Sequence, residues 1–488
     1  MEAEKTDGAP GERTMPWVGR VGGLLTAVAV WMATTPLTQD QRIVATSAVL
    51  MGVWWATEAL PMWATALVVL IGFPALGVVD PIDVVAIGGN SLILLFVGGM
   101  LLAKGIESCG LHRRIAIRLL AVVGTSPRRL VLGLMLAGAG LSMFVSNSAT
   151  ALMLFPVAHA LVVRSTPEGP RRRALGAAAM LGLAYGCNAG GAASLIGTPP
   201  NLIFAQAYAS QYPDMPPVGF GRWLLVGLPF LVCFLPLAWL YLTRVAFRLP
   251  ATTETPSEPE QLAPRSSAQT FVLAVFLAAV AAWMTREAWD GLLPCPASYG
   301  DAVVGLLAAA VLFIAPVRRA AGGERRPVLV PRDLARLPFG LLVLIAGGLV
   351  LSDGFQRSGL TEVAGQWLEQ WDGTDAAWIV GGTALVAVAL SALTSNTGSA
   401  GVLAPLLMAS APVLGVDPRF LLFAGALGVS CDFALPVGTP PNAVVFGSGW
   451  LRLGQMARIG AVVDIAAVLL IALVVRGTVG WLLGASVL

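Results

Sequence analysis

Two short runs of hydroxyl and amide side chains interrupt a chain that is otherwise strongly apolar. Ser146-Asn147-Ser148, inside L-S-M-F-V-S-N-S-A-T at 141–150, is matched by Ser395-Asn396-Thr397, inside L-S-A-L-T-S-N-T-G-S at 390–399, 249 residues further on. A lone Ser or Asn in an apolar helix ordinarily serves helix packing. Uncharged donors set twice, at equivalent points of two halves, are kept where something binds or packs against them. They read as the two lips of one substrate site. A second pair of motifs, Gly197-Thr198-Pro199-Pro200-Asn201 and Gly438-Thr439-Pro440-Pro441-Asn442, also lies inside apolar segments. Proline has no amide hydrogen, so the carbonyls four residues earlier lose their helical partner. These are Leu195 and Ile196 in one copy, Pro436 and Val437 in the other. Such a break can ligate a dehydrated cation through its carbonyls while the half-helix N-termini face an anion; a single copy would more simply be a proline kink.

No basic residue is expected at that site. Lys104 and its repeat partner Asp353 fall near helix ends, where snorkelling accounts for them. An anion would then be held by hydroxyls, amides, helix dipoles and co-bound cations, a set that also allows release. Enzyme chemistry finds little support. The histidines are His112 and His159, the five cysteines include no C-x-x-C pair, and there is no H-E-x-x-H, G-x-S-x-G or ATP-binding loop. Carboxylates within apolar stretches reduce to Asp432 and Asp464, with Glu58 at a helix end.

The elements that must carry these motifs are membrane helices. Of 488 residues, 57% are hydrophobic and 12% charged, against about 25% charged in soluble domains. Apolar segments near 20–36, 43–58, 62–79, 84–107, 173–207, 219–243, 269–288, 302–316, 338–356, 418–447 and 459–484 read as eleven crossings. Two more, 128–163 and 376–415, are too long for one crossing and are broken by the triplets. Each reads as a re-entrant helical hairpin. The fold class is therefore all-α and polytopic, with no signal peptide in residues 1–15.

Loop charge orients the chain. With the N-terminus cytoplasmic, the inner loops collect Arg113, Arg114, Arg118, Arg128, Arg129, Arg171 to Arg173, Arg244, Arg248, the arginines between 318 and 336, Arg452 and Arg458. The opposite loops carry mainly Asp and Glu, with Arg222, Arg286, Arg357 and Arg419 isolated among them. That balance requires both long segments to return to the side they entered from, and the five crossings between them make the entrances opposite. The halves are thus inverted repeats. Letters agree: Gly98, Gly99, Gly105, Gly110 and Leu111 match Gly347, Gly348, Gly354, Gly359 and Leu360. The organisation read from this is a tail at 1–19, a first repeat at 20–248 with its hairpin at 128–163, a Pro/Ser/Thr/Glu-rich cytoplasmic linker at 249–268, and a second repeat at 269–488 with its hairpin at 376–415.

On both S-N-T-type triplets, both G-T-P-P-N motifs and the G-G…G-L-H-R-R segment at 98–114, residues 20 to 485 resemble the divalent anion:sodium symporter family of dicarboxylate, citrate and sulfate carriers. The resemblance implies a homodimer in the inner (plasma) membrane, with a scaffold domain and a transport domain that moves as an elevator. It implies Na⁺ as the coupling ion, at one site of Ser142, Ser146, Asn147 and the Gly197 backbone, and at another of Ser391, Thr394, Asn396 and the Gly438 backbone. The substrate would meet Ser146, Asn147, Ser148, Ser395, Asn396 and Thr397, above a floor of Thr198, Pro199, Thr439 and Pro440. Two departures stand out: Ser148 lacks the methyl of the usual threonine, and Asp432 stands where a small neutral residue is expected. An ionised carboxylate at mid-membrane costs at least ~2.5–3.5 kcal/mol, so Asp432 faces a cation, is protonated or lies in water. The reading adopted is a secondary transporter, not an enzyme, importing a C4-dicarboxylate such as succinate with sodium. A sodium–sulfate symporter, a proton-coupled carrier and a sodium-independent dicarboxylate exchanger share these features, and an anion channel is the rival of another class. Nucleic acid is not an expected partner.

Overall fold

The computed structural model describes residues 15–482 apart from 58, 125, 252–263, 290–298, 319–323, 361–362, 364–375 and 437. Most of the tail and linker, Glu58, Cys295 and the Val437 carbonyl lie outside the described residues. The rest is almost wholly helical. Six helices are long and apolar enough to cross a membrane: Pro81–Ser108, Asn147–Ser165, Phe220–Ala246, Ser267–Met284, Phe339–Arg357 and Leu453–Trp481. Five shorter apolar helices accompany them. The chain is a multi-pass membrane protein.

Both long polar-centred segments form a helix, a break and a second helix. The first hairpin pairs Pro127–Ser142 with Asn147–Ser165; the second pairs Ala376–Leu393 with Asn396–Ser410. Each G-T-P-P-N motif likewise separates two helices, Pro170–Ala193 from Pro199–Gln211 and Pro418–Val429 from Pro440–Phe446. The repeat also governs packing. Ser91–Ser108 lies against Gly300–Ile314, and Phe339–Arg357 lies against Met62–Leu76. The matched glycines allow those approaches: a Cβ on Gly98 would meet the backbone of Gly305 at 2.5 Å, and one on Gly347 would meet Ala66 Cβ at 2.5 Å. With little hydrophobic drive between helices in lipid, such close backbone contact is what holds them.

The repeat reaches further back than its letters reveal. Thr38 and Gln41 form a capping box at the start of Gln39–Ala56, and Ser266 and Gln269 form one at the start of Ser267–Met284. Near the ends of those helices Trp55 Nε1 donates to Met62 O (3.2 Å) and Trp283 Nε1 to Asp301 O (2.9 Å). Beside the helices, Pro316–Arg318 and Arg325–Pro327 pair as a short antiparallel ribbon; these residues follow an apolar helix in a polar connection, where two three-residue strands satisfy each other. One expectation needs correction. The arginine-rich loop after residue 110 contains a helix, Leu111–Val123, that buries Leu111, Ala116, Ile117 and Leu120 and exposes Arg113 and Arg118. Its one-sided pattern escapes a search for uniformly apolar runs.

Candidate functional site

In the first half, the helix Pro127–Ser142 stops just before the triplet and Ser146 caps the next one, its hydroxyl accepting from Ala149 N (3.3 Å). The fully buried Ser142 donates its hydroxyl hydrogen to Asn147 Oδ1 at 2.5 Å. Across the gap the helix Pro170–Ala193 ends, and residues 194–198 leave helical geometry. Pro199 and Pro200 then occupy the first turn of the following helix, where a missing N–H costs nothing. The prolines therefore do not open carbonyls inside a continuous helix, as the sequence reading supposed. The carbonyls released are those at the end of the preceding helix, and Asn201 Nδ2 lies within reach of three of them, Gly191 O (3.0 Å), Ala192 O (3.2 Å) and Ser194 O (2.7 Å). Gly197 is pressed against this bracket: a Cβ there would fall 2.6 Å from Gly191 O and 2.9 Å from Ser142 O. Gly191 in turn faces the Asn147 amide so closely that any side chain would collide with it. Ser142, Asn147, Gly191 and Gly197 thus form one cluster of uncharged oxygens.

The second half repeats this frame. Ser395 caps Asn396–Ser410 by accepting from Gly398 N (3.1 Å), and Ser391 Oγ lies 2.8 Å from Asn396 Oδ1 and 2.6 Å from Val429 O. Asn442 Nδ2 donates to Asp432 O and Leu435 O, both at 2.9 Å. Gly438 packs beside Ser391 O and the Asp432 carboxylate. One expected ligand departs from the pattern. The Thr394 hydroxyl lies 2.9 Å from Leu390 O, one turn back, and 2.6 Å from Ser399 Oγ. It faces an apolar cavity of about 500 Å³ with Val49, Leu351 and Phe355, so its side chain does not join the cluster of Ser391, Asn396 and Gly438.

The surroundings of the two halves differ. Ser146, Gly197 and Pro199 line a cavity of about 220 Å³ whose lining also carries Lys104, Glu107, Asp333 and Arg336. Charged residues of both signs thus share this cavity with the first triplet; helix spacing alone did not reveal that the segment before Phe339 packs near Lys104. Lys104 is paired with Glu107 (3.0 Å), and Asp353 with Arg357 (2.9 Å), so ion pairs rather than snorkelling alone account for both. Ser395 instead sits against Met62 Sδ (3.7 Å), Gly401 receives the Trp55 ring, and Gly398 faces Trp55 Cβ. Among the substrate candidates, Ser148, Thr397 and Pro199 are half-buried, Thr198 and Thr439 buried, and Ser146 and Pro440 exposed.

The halves are tied together by exchange. Asn147–Ser165 packs on the second motif's helix Pro440–Phe446, while Asn396–Ser410 packs on the first motif's helix Pro199–Gln211. At the crossing, the fully buried Asn188 donates to Thr439 Oγ1 (3.0 Å) and approaches Asn442 Oδ1 (3.4 Å). Sequence reasoning missed Asn188. Its signal was an amide inside the small-residue run G-C-N-A-G-G at 186–191, where an unpartnered polar group is costly.

A polytopic helical chain with two helix–break–helix units and two asparagine-bracketed helix breaks at polar clusters fits the class of membrane transporters. Residues 52–428 match the citrate transporter family. The sodium-dependent dicarboxylate transporter SdcS of Staphylococcus saprophyticus is 32% identical over 96% of this chain and 93% of its own length, and that of Staphylococcus aureus 31% over 97% and 88%. Solved structures of MtrF from Neisseria gonorrhoeae (TM-score 0.57, 14% identity, 92% of this chain and 97% of that one) and YdaH from Alcanivorax borkumensis (TM-score 0.50, 15% identity, 80% and 86%) share the fold. The chain belongs to the divalent anion:sodium symporter family, and it is a transporter rather than an enzyme.

Proposed function

We propose that this protein imports a C4-dicarboxylate such as succinate, driven by sodium. The dianion would lie between the two triplets, meeting Ser146, Asn147 and Ser148 on one side and Ser395, Asn396 and Thr397 on the other, over Thr198, Pro199, Thr439 and Pro440. Sodium would sit at Ser142, Asn147 and the Gly197 backbone, and at Ser391, Asn396 and the Gly438 backbone, offsetting the substrate's charge. The observation that carries this reading is the Ser–Asn pair made twice, Ser142 with Asn147 and Ser391 with Asn396. Each pair stands beside a helix break whose ends are held by an asparagine. Neutral hydroxyls and amides bind a carboxylate without trapping it, and hard oxygen donors suit a hard cation. In the cell the protein would be a homodimer in the plasma membrane, N-terminus inside, its inverted repeats forming a transport domain that moves as an elevator against a scaffold.

Uptake of labelled succinate into proteoliposomes tests this directly. Saturable uptake that requires an inward sodium gradient, and that unlabelled malate suppresses more than sulfate does, is expected. Sulfate competing better than dicarboxylates would reassign the substrate. Counter-flow without sodium would make the protein an exchanger, and conductance without saturation a channel.

A further inference from the structure

The two half-sites differ at one position that the shared frame makes unambiguous. Asn201 reaches the carbonyls of Gly191 and Ser194; Asn442 reaches those of Asp432 and Leu435. Asp432 is therefore the counterpart of Gly191. Where Gly191 leaves room for the Asn147 amide, Asp432 sends a carboxylate into the equivalent space, against Gly438 and toward the Asn396 side chain. Asp432 is 1% exposed. Although its own backbone N–H and the Asn396 side chain approach it, neither carboxylate oxygen has a well-formed hydrogen bond among the described residues. The other ionisable groups that bear on it are Asp464, occupied in accepting from Phe433 N (2.7 Å), and the Cys431 thiol. None of these supplies positive charge.

A dehydrated carboxylate with no positive charge beside it among the described residues is a costly arrangement unless a cation completes it. Ser391 O beside Gly438, the Ser391 hydroxyl and Asn396 Oδ1 supply further hard oxygens around the same point. We infer that Asp432 is a direct cation ligand, so that the second half-site binds sodium through a carboxylate whereas the first binds it through neutral oxygens alone. The inference rests on the proposed sodium-coupled function and adds to it a division of labour. The carboxylate site holds its ion more tightly and fills at lower sodium.

The test uses the full-length protein and two readouts. Purified wild type, Asp432→Asn and Asp432→Ser are titrated with sodium chloride against choline chloride while the thermal unfolding midpoint is followed, and sodium activation of succinate uptake is measured in proteoliposomes. Wild type gains midpoint with sodium because only the folded state binds the ion. Both variants should need roughly tenfold more sodium, or beyond, for half of the effect in each assay. In choline alone their midpoints should be no lower than wild type's, since an uncompensated buried charge has been removed. Variants with wild-type half-saturating sodium, or with a lower midpoint in choline and unchanged sodium response, would make Asp432 a structural group and overturn the inference while leaving sodium coupling intact. Absence of any sodium response in wild type would overturn the broader reading, and this one with it.

Discussion

The two halves of the site share one frame and differ in the charge and access around it. In the first, four uncharged residues close on one another through side-chain and main-chain contact, and the capped tip at Ser146 opens on a cavity reaching Lys104 and Arg336. In the second, a carboxylate enters the cluster, and the tip at Ser395 is covered by Met62 and Trp55. Common to both are the Ser–Asn pair, the serine cap of the hairpin's second helix and the motif asparagine that holds the ends of a broken helix. The comparison teaches that the repeat keeps what satisfies the backbone, because orphaned carbonyls in lipid cannot be left unmet. Side chains that set charge and access are free to diverge.

That distinction can be broken at the glycines. Gly197→Ala drives a methyl into two backbone carbonyls, which cannot move, whereas the nearest atoms at Gly438 belong to the Asp432 side chain, which can turn away. The expected cost for Gly197→Ala is ~1–3 kcal/mol of stability together with loss of transport. Gly438→Ala should cost about 1 kcal/mol or less in stability and weaken sodium activation more than folding. Thermal unfolding beside uptake assays separates these effects; equal losses at both positions would mean the halves are alike after all. A smaller contrast lies in the two motif threonines. Thr439 accepts from Asn188 across the repeat boundary, while Thr198 makes no side-chain bond to its own helix end. Thr439→Val should lower stability by about 1 kcal/mol, and Thr198→Val by less than about 0.5 kcal/mol. The reverse order would show that Thr198 carries a bond the first half depends on.

The helix breaks were legible before any coordinates. Amide-and-hydroxyl triplets in hydrocarbon, and prolines paired with a following asparagine, announce helix breaks by chemistry alone, and the helix–break–helix units fall where those letters stand. The matched glycines Gly98 and Gly347 mark the same contact in each half, as small residues at a membrane helix interface should. What escaped depended on side chains meeting across long separations. Asn188 and Thr439 are 251 residues apart, and Lys104 joins the cavity because residues near 336 fold over it. The Thr394 hydroxyl turned to its own hairpin, a local choice that motif matching cannot foresee. The extended repeat was present as T-x-x-Q and S-x-x-Q ahead of apolar runs, at Thr38 and Ser266, a capping signal that an offset search does not score.

The account stands on one shared pocket assembled from both halves, and equilibrium binding measures that most directly. Labelled succinate should bind purified wild-type protein in saturating sodium at one molecule per protomer. Asn147→Ala and Asn396→Ala should each weaken that binding about 100-fold or more while remaining folded and monodisperse. If either variant bound succinate as wild type does, or if wild type bound two molecules and each variant kept one, the halves would be separate sites and the shared pocket would not exist.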